Sequence, residues 1–309
     1  MSNKDYKQRK KERQAQAEIE ARKQVVRSNT KKVTFIFAVI AAIIIIAVLI
    51  MSHVIPTSFG GNNGFTPPQN GVWGQFLQVS TSDYASAGHE NIYFVSWIGC
   101  PVGAADSWAL YGAFNQYYSG IQSSVYGHTS DPNEGALANI PGLIFTSQFS
   151  FTHNGVNVSF TPLYLYNETM FGEEGSNYAN PEGNGVLITT SSQNFNIAPS
   201  SSKIVQYGLS IASANLPPSI YQVYDQFETV YPVSNMGSGT HASDNLTEQP
   251  HLTTIMIITD SKGTFVFNGP MYNPQYLTSQ GYSYQYLLQN YNSISDITSA
   301  MNQFDSYIL

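Results

Sequence analysis

The chain has 309 residues and a formal net charge of −7, and that charge is very unevenly distributed. Residues 1–32 hold 11 of the 13 Lys and Arg and 4 of the 20 Asp and Glu, which leaves only Lys203 and Lys262 against 16 acidic side chains in the other 277 residues. Such a domain lacks the electrostatic footprint of a nucleic-acid binder, and a chain with one cysteine, Cys100, cannot complete an intramolecular dithiol cycle.

Residues 1–32 form a basic cytoplasmic tail, rich in helix formers but without an apolar face. Its side chains would be attracted to anionic headgroups by about 1 kcal/mol each near the surface. Val33–Met51, VTFIFAVIAAIIIIAVLIM, has 19 residues and no charge, and at about 1.5 Å per residue it matches a bilayer core. It is longer than a signal-peptide apolar region and no small-x-small cleavage site follows. Residues 33–55 are therefore read as an uncleaved transmembrane signal anchor. The Lys/Arg asymmetry keeps the N-terminus in the cytoplasm and puts the main domain outside the cell. Residues 56–74 are a Gly/Asn/Pro-rich linker, and residues 75–309 read as one extracytoplasmic domain without internal repeats. Three Asn-x-Ser/Thr sequons in that domain, at Asn157, Asn167 and Asn245, permit glycosylation. Hydroxyls and amides do not titrate, whereas paired carboxylates lose their stabilising effect on protonation, so a charge-poor domain also suits an acidic exterior.

Within the domain, Asn91–Trp97 (NIYFVSW) has the composition of a buried strand. Pro101 fits the first turn of a following helix, expected over Ala104–Tyr118, with Trp108, Tyr111, Asn115 and Tyr118 on one face and Asp106 complementing the helix dipole. Val156–Tyr166 reads as a strand in which Pro162 demands an edge or a break. Glu173–Ser202 is a Gly/Ser/Asn-rich insertion, and Pro218–Tyr231 reads as a helix. Thr253–Thr259 and Gly263–Asn268 form a strand pair joined through Asp260-Ser261-Lys262. Tyr284–Tyr307 reads as helical with a break near Asn290. The order strand, helix, strand, helix, strand, strand, helix predicts an α/β domain, a mixed sheet with flanking helices and long loop insertions.

That order, with cysteine and proline between the first strand and its helix, resembles the thioredoxin fold. The run Gly99-Cys100-Pro101-Val102-Gly103-Ala104-Ala105-Asp106-Ser107-Trp108 more closely resembles an uncharacterised family of archaeal membrane-anchored proteins. Their buried strand leads into Cys-Pro-x-Cys or Cys-Pro-x-Gly and then an Ala-Ala-acid-x-Trp helix start. The resemblance covers most of residues 75–309 and implies a thioredoxin-like core. Two departures stand out. Gly103 occupies the place of the resolving cysteine. The cis-proline that faces the cysteine in thioredoxin-like enzymes corresponds to a position near Thr254, the closest proline being Pro250.

Two readings of the site follow. In the leading one the domain is a redox-inactive binding or scaffolding module for envelope proteins, and Cys100 is a small buried hydrophobe. In the alternative, Cys100 is the catalytic residue of a monothiol thiol-disulfide oxidoreductase, with the Pro101–Gly103 backbone at the helix N-terminus aiding thiolate formation. No cofactor is expected. No His-x-His or His-x-x-x-His spacing occurs, and His241 and His251 flanking Asp244 and Glu248 read as a polar loop rather than a metal site. Tyr221, Tyr224 and Tyr231, or Tyr272, Tyr276, Tyr282, Tyr284 and Tyr286, would suit an aromatic surface for glycans or proteins. The simpler reading is that tyrosine fills the amphipathic surface role usually taken by charged residues.

Overall fold

In the computed structural model the strand expected at Asn91–Trp97 runs from His89 to Ser96 and forms the centre of a five-stranded sheet. The structure describes residues 71–167, 203–234 and 251–308, all within one compact unit, Phe59–Leu309. The basic tail, the apolar span and most of the linker lie outside those residues. So do the insertion at 173–202, Asn245, His241, Asp244 and Glu248. Among the described residues, no helix is long and apolar enough to cross a membrane.

The elements in chain order are β1 (Gly71–Val72), β2 (Gln75–Ser80), β3 (His89–Ser96), α1 (Pro101–Phe114), β4 (Val125–Thr129), β5 (Pro141–Phe145), β6 (Phe149–His153) and β7 (Val156–Tyr164). There follow α2 (Lys203–Asn215), α3 (Pro218–Asp225), β8 (Val233–Ser234), β9 (Ile255–Asp260), β10 (Gly263–Asn268), α4 (Gln275–Ser279), α5 (Tyr284–Asn290) and α6 (Ser295–Asp305). The main sheet has the order β10-β9-β3-β7-β6. β7 runs parallel to β3, with His89 opposite Asn157 and Ser96 opposite Tyr164; β9 is antiparallel to β3, and β10 to β9. The mixed sheet with flanking helices is the α/β architecture the sequence implies.

Strand β3 carries the apolar run Ile92-Tyr93-Phe94-Val95 because both its faces are covered there. Ile92 and Phe94 join the core under α1 and α6, whereas Tyr93 and Val95 join the core under α2 and α3. The first core is aromatic: the ring of Phe114 meets those of Phe145, Phe149, Phe151, Phe160 and Phe304 at centroid distances of 4.7–6.3 Å.

Helix α1 differs from the expected one. It starts at Pro101, three residues early, and 13 of its 14 residues are buried. It has no single apolar face because it lies between the sheet, the β4–β5 hairpin and α6. Gly112 lies where α6 crosses, and a Cβ there would push the Met301 side chain aside. Asp106 lies beyond the first turn and does not serve the helix dipole. Its buried carboxyl accepts a hydrogen bond from Met271 N–H at 2.8 Å and ties the segment after β10 to α1.

Pro162 is not on an edge strand, since β7 lies between β3 and β6. It is tolerated because the β6 pairing ends at Phe160, so β7 has an open side at Pro162. The β9–β10 hairpin turns tightly through Ser261-Lys262, where Lys262 N–H donates to Asp260 Oδ1 at 2.7 Å. The C-terminal helix breaks after Asn290, as expected, through a short turn at Tyr291–Ser293.

Candidate functional site around Cys100

Cys100 lies where β3 passes into α1. Its backbone is extended (φ −65°, ψ 120°) and it serves as the helix N-cap, with Pro101 in the first turn. The Gly103 N–H points at Sγ at 3.4 Å, as a helix N-terminus directs its unpaired donors. The thiol is 4% exposed and packs in the α2–α3 core with Trp97, Tyr166 and Leu252.

Thr254, just before β9, faces Cys100 across the site, where the resemblance puts the residue opposite the cysteine. Its Oγ1 lies 3.0 Å from Cys100 Sγ and 2.8 Å from Ser96 Oγ. Gly103 completes the closure, since a Cβ there would run into Ser96 Oγ and come within 3.1 Å of Thr254 Oγ1. The place of a resolving thiol is therefore occupied by two hydroxyl side chains. No peptide bond among the described residues is cis.

Two effects act on the thiol in opposite directions. Donors at a helix N-terminus favour thiolate, whereas burial penalises the charged form. Here burial wins. It pushes the Cys100 thiol up to about 11, and the Gly103 and Val102 N–H groups and the Thr254 and Ser96 hydroxyls offset it only in part. At pH 7 that leaves about one thiolate in ten thousand.

A second polar cluster adjoins the first through the chain. Past Asp225, α3 continues as a π-helical turn, Gln226–Val230, which carries Glu228 into the interior with no exposed surface. Glu228 Oε1 lies 2.9 Å from Thr253 N and 2.9 Å from Thr253 Oγ1. Thr253 Oγ1 also lies 3.2 Å from Asn268 Oδ1, and Asn268 Nδ2 donates to Phe227 O at 3.3 Å. Glu228 Oε2 is buried and has no hydrogen-bond partner among the described residues. Burial pushes the Glu228 carboxyl up to about 8, its bonds to Thr253 offsetting this only in part. Sequence reasoning missed this cluster. Its one signal was a pair of carboxylates, Asp225 and Glu228, in a helix without a cation.

The other sequence candidates are dispersed. His251 is buried edge-to-face against Trp97 at 5.5 Å. His128 is buried in β4, and loss of solvent pushes its imidazole down to about 4. No group of three His, Cys, Asp or Glu able to hold a metal occurs among the described residues. Tyr224 is fully buried, so it cannot share a surface with Tyr221 and Tyr231; Tyr282 and Tyr286 stack near the surface at 4.9 Å. Asn157 sits within β7, and its side-chain amide lies 3.1 Å from His89 Nδ1.

The fold and site define a mixed α/β domain with a single closed-off thiol at a helix N-terminus. Residues 75–309 match the model of a family described as Domain of unknown function (DUF929), and the chain belongs to that family. No curated protein and no solved structure matches the chain.

Proposed function

We propose that residues 75–309 are a thioredoxin-like, redox-inactive domain, held outside the cell by the signal anchor at 33–55 and acting as a binding or scaffolding module for envelope proteins. The thioredoxin-like reading is supported by the element order β3, α1, β7, α2–α3, β9, β10, α6, with Cys100 at the first strand-to-helix junction and Thr254 opposite it. The anchor and its orientation rest on the apolar span and the basic tail.

One observation carries the redox-inactive reading: Cys100 Sγ is buried beneath Thr254 and Ser96, and the position of the second thiol is filled. A thiol–disulfide exchange enzyme needs an accessible thiolate that can attack a disulfide sulfur in line. This site offers neither access nor charge at neutral pH. The Gly103 N–H contact favours the monothiol alternative, and a simple test separates the two readings. The full chain in detergent is incubated with excess oxidised glutathione at pH 7 and weighed intact. The redox-inactive reading expects no adduct without denaturant and a complete one in denaturant. Rapid mixed-disulfide formation on the folded chain would establish the monothiol enzyme instead.

A further inference from the structure

The Glu228 cluster contains a hydrogen-bond count that does not close for an ionised carboxylate. Thr253 Oγ1 carries one hydrogen but lies within hydrogen-bond distance of Glu228 Oε1 (2.9 Å) and of Asn268 Oδ1 (3.2 Å). The orientation of the Asn268 amide is set by its Nδ2, which donates to Phe227 O, so Oδ1 faces Thr253 as an acceptor. Both contacts are full hydrogen bonds only if Glu228 supplies a hydrogen. The acid then donates to Thr253, Thr253 donates to Asn268, and Asn268 donates to Phe227, while Thr253 N–H still donates to Glu228 Oε1.

The surroundings agree with a neutral acid. A carboxylate spreads its charge over both oxygens, and a buried oxygen without a donor is costlier charged than as a neutral carbonyl; Oε2 is buried and has no hydrogen-bond partner among the described residues. The titratable groups coupled to Glu228 are Asp225 and Tyr224 from α3 and Tyr166 from the end of β7, none of them cationic. His251, two residues before Thr253, is turned against Trp97. Lys262 is the one Lys or Arg among the described side chains, and it lies at the far end of the β9–β10 hairpin.

We propose that Glu228 is a proton-operated latch: as a neutral acid it holds Thr253, and through the backbone holds Thr254 closed over Cys100, and on losing its proton it releases that segment and uncovers the thiol. The inference rests on the closed-site reading above and adds a regulator to it. Thr253 and Thr254 are consecutive in the chain, and each uses its side chain on a different cluster: Thr253 on Glu228 and Asn268, Thr254 on Cys100 and Ser96. Ionisation takes the Thr253 hydrogen from Asn268 and leaves a buried charge with no counter-ion among the described residues, a combination relieved by opening. The protein would thus be sealed in acid and loosened in alkali.

The test compares wild type with Glu228→Gln, both as the full chain in detergent. Cys100 alkylation is timed from pH 5 to pH 9, and the wild-type rate is divided by the variant rate at each pH, which cancels the thiol's own ionisation. If opening restores an ordinary carboxyl, linkage makes the ratio rise about tenfold per pH unit between roughly pH 5 and 8 and then level off. In parallel, wild type labelled with 13C at its glutamate carboxyls is titrated by NMR, which needs no variant to fold. The latch requires one glutamate carbon that titrates near pH 8. A flat ratio with slow labelling overturns the latch and leaves the redox-inactive reading standing. Fast labelling at pH 5 overturns the redox-inactive reading and the sealing role together. If every glutamate titrates in the ordinary range, Glu228 holds no proton and the proposal is wrong whatever the labelling shows.

Discussion

Gly103→Ala separates a filled site from an empty one by the sign of its effect. Within a helix, replacing glycine by alanine ordinarily stabilises by about 1 kcal/mol, since alanine loses less backbone entropy on folding. At position 103 the added Cβ meets Ser96 Oγ and lies 3.1 Å from Thr254 Oγ1. Ser96 Oγ is held by Thr254 Oγ1 at 2.8 Å and Ser96 is fully buried, so it has little room to retreat. Overpacking a rigid interior destabilises by about 1–3 kcal/mol, which outweighs the propensity gain. Urea unfolding of the variant should therefore show a lower midpoint with an unchanged slope. Ser96→Ala removes the clashing hydroxyl at a cost of about 1 kcal/mol for its hydrogen bond. In the double variant the clash is relieved, so the cycle should show a favourable coupling of about 1–3 kcal/mol. If Gly103→Ala alone stabilised the protein by about 1 kcal/mol, position 103 would be open and the closed-site argument would fail.

Four further outcomes follow from the same structure. The carboxyls of Glu228 and Asp106 are both raised by burial, so the folded state holds protons that the unfolded chain releases; for Glu228, stability is full below about pH 4.5 and declines as pH rises towards 8. His128, lowered to about 4, acts in the opposite sense and loses stability as pH falls from about 6.5 to 4; with two carboxyls against one imidazole, melting should be higher at pH 5 than at pH 8, and the reverse order would refute this balance. Asp106→Ala leaves Met271 N–H unpaired in the interior and should cost about 1–3 kcal/mol in urea unfolding, whereas Asp106→Asn, which keeps an acceptor, should cost less. Phe114→Ala empties the centre of the aromatic core and should cost about 3–5 kcal/mol by the same assay. Asn157, with its amide against His89 inside a paired strand, should carry no glycan, so Asn157→Gln should leave the intact mass of glycosylated protein unchanged apart from the substitution itself.

The elements legible in the sequence were those with a strong local signal. The runs Ile92-Tyr93-Phe94-Val95 and Ile255-Met256-Ile257-Ile258 are apolar because β3 and β9 are covered on both faces there. The break at Asn290 and the helix at Pro218 were likewise marked by their own residues. Strands β4, β5 and β6 were missed, being five residues each, with Gly127, Pro141 and Gly142 interrupting two of them. Helix α2 was missed because Gly208 and its serines weaken the periodic pattern over 203–215. Asp106 was given a local role because its partner, Met271, is 165 residues away.

The site divided in the same way. Cys100, Pro101 and Gly103 were visible as a contiguous motif, and the place of Thr254 followed from the resemblance. The leading reading has Cys100 buried, but what buries it was not legible, because that depends on Trp97, Tyr166 and Leu252 meeting in space. Nor was the role of Glu228, whose partner Thr253 lies 25 residues further along the chain. Local sequence therefore located the thiol, while long-range packing determines whether it is charged.

The measurement that bears most directly on the closed site is the alkylation rate of Cys100 in the folded full-length chain, followed against pH beside the same rate in denaturant. A buried thiol raised to about 11 labels at least a hundredfold more slowly in the folded protein near neutral pH, since the thiolate fraction alone falls about a hundredfold for two pH units. Folded-state labelling as fast as in denaturant, with a midpoint below pH 8, would show an exposed and activated thiol and contradict the redox-inactive reading.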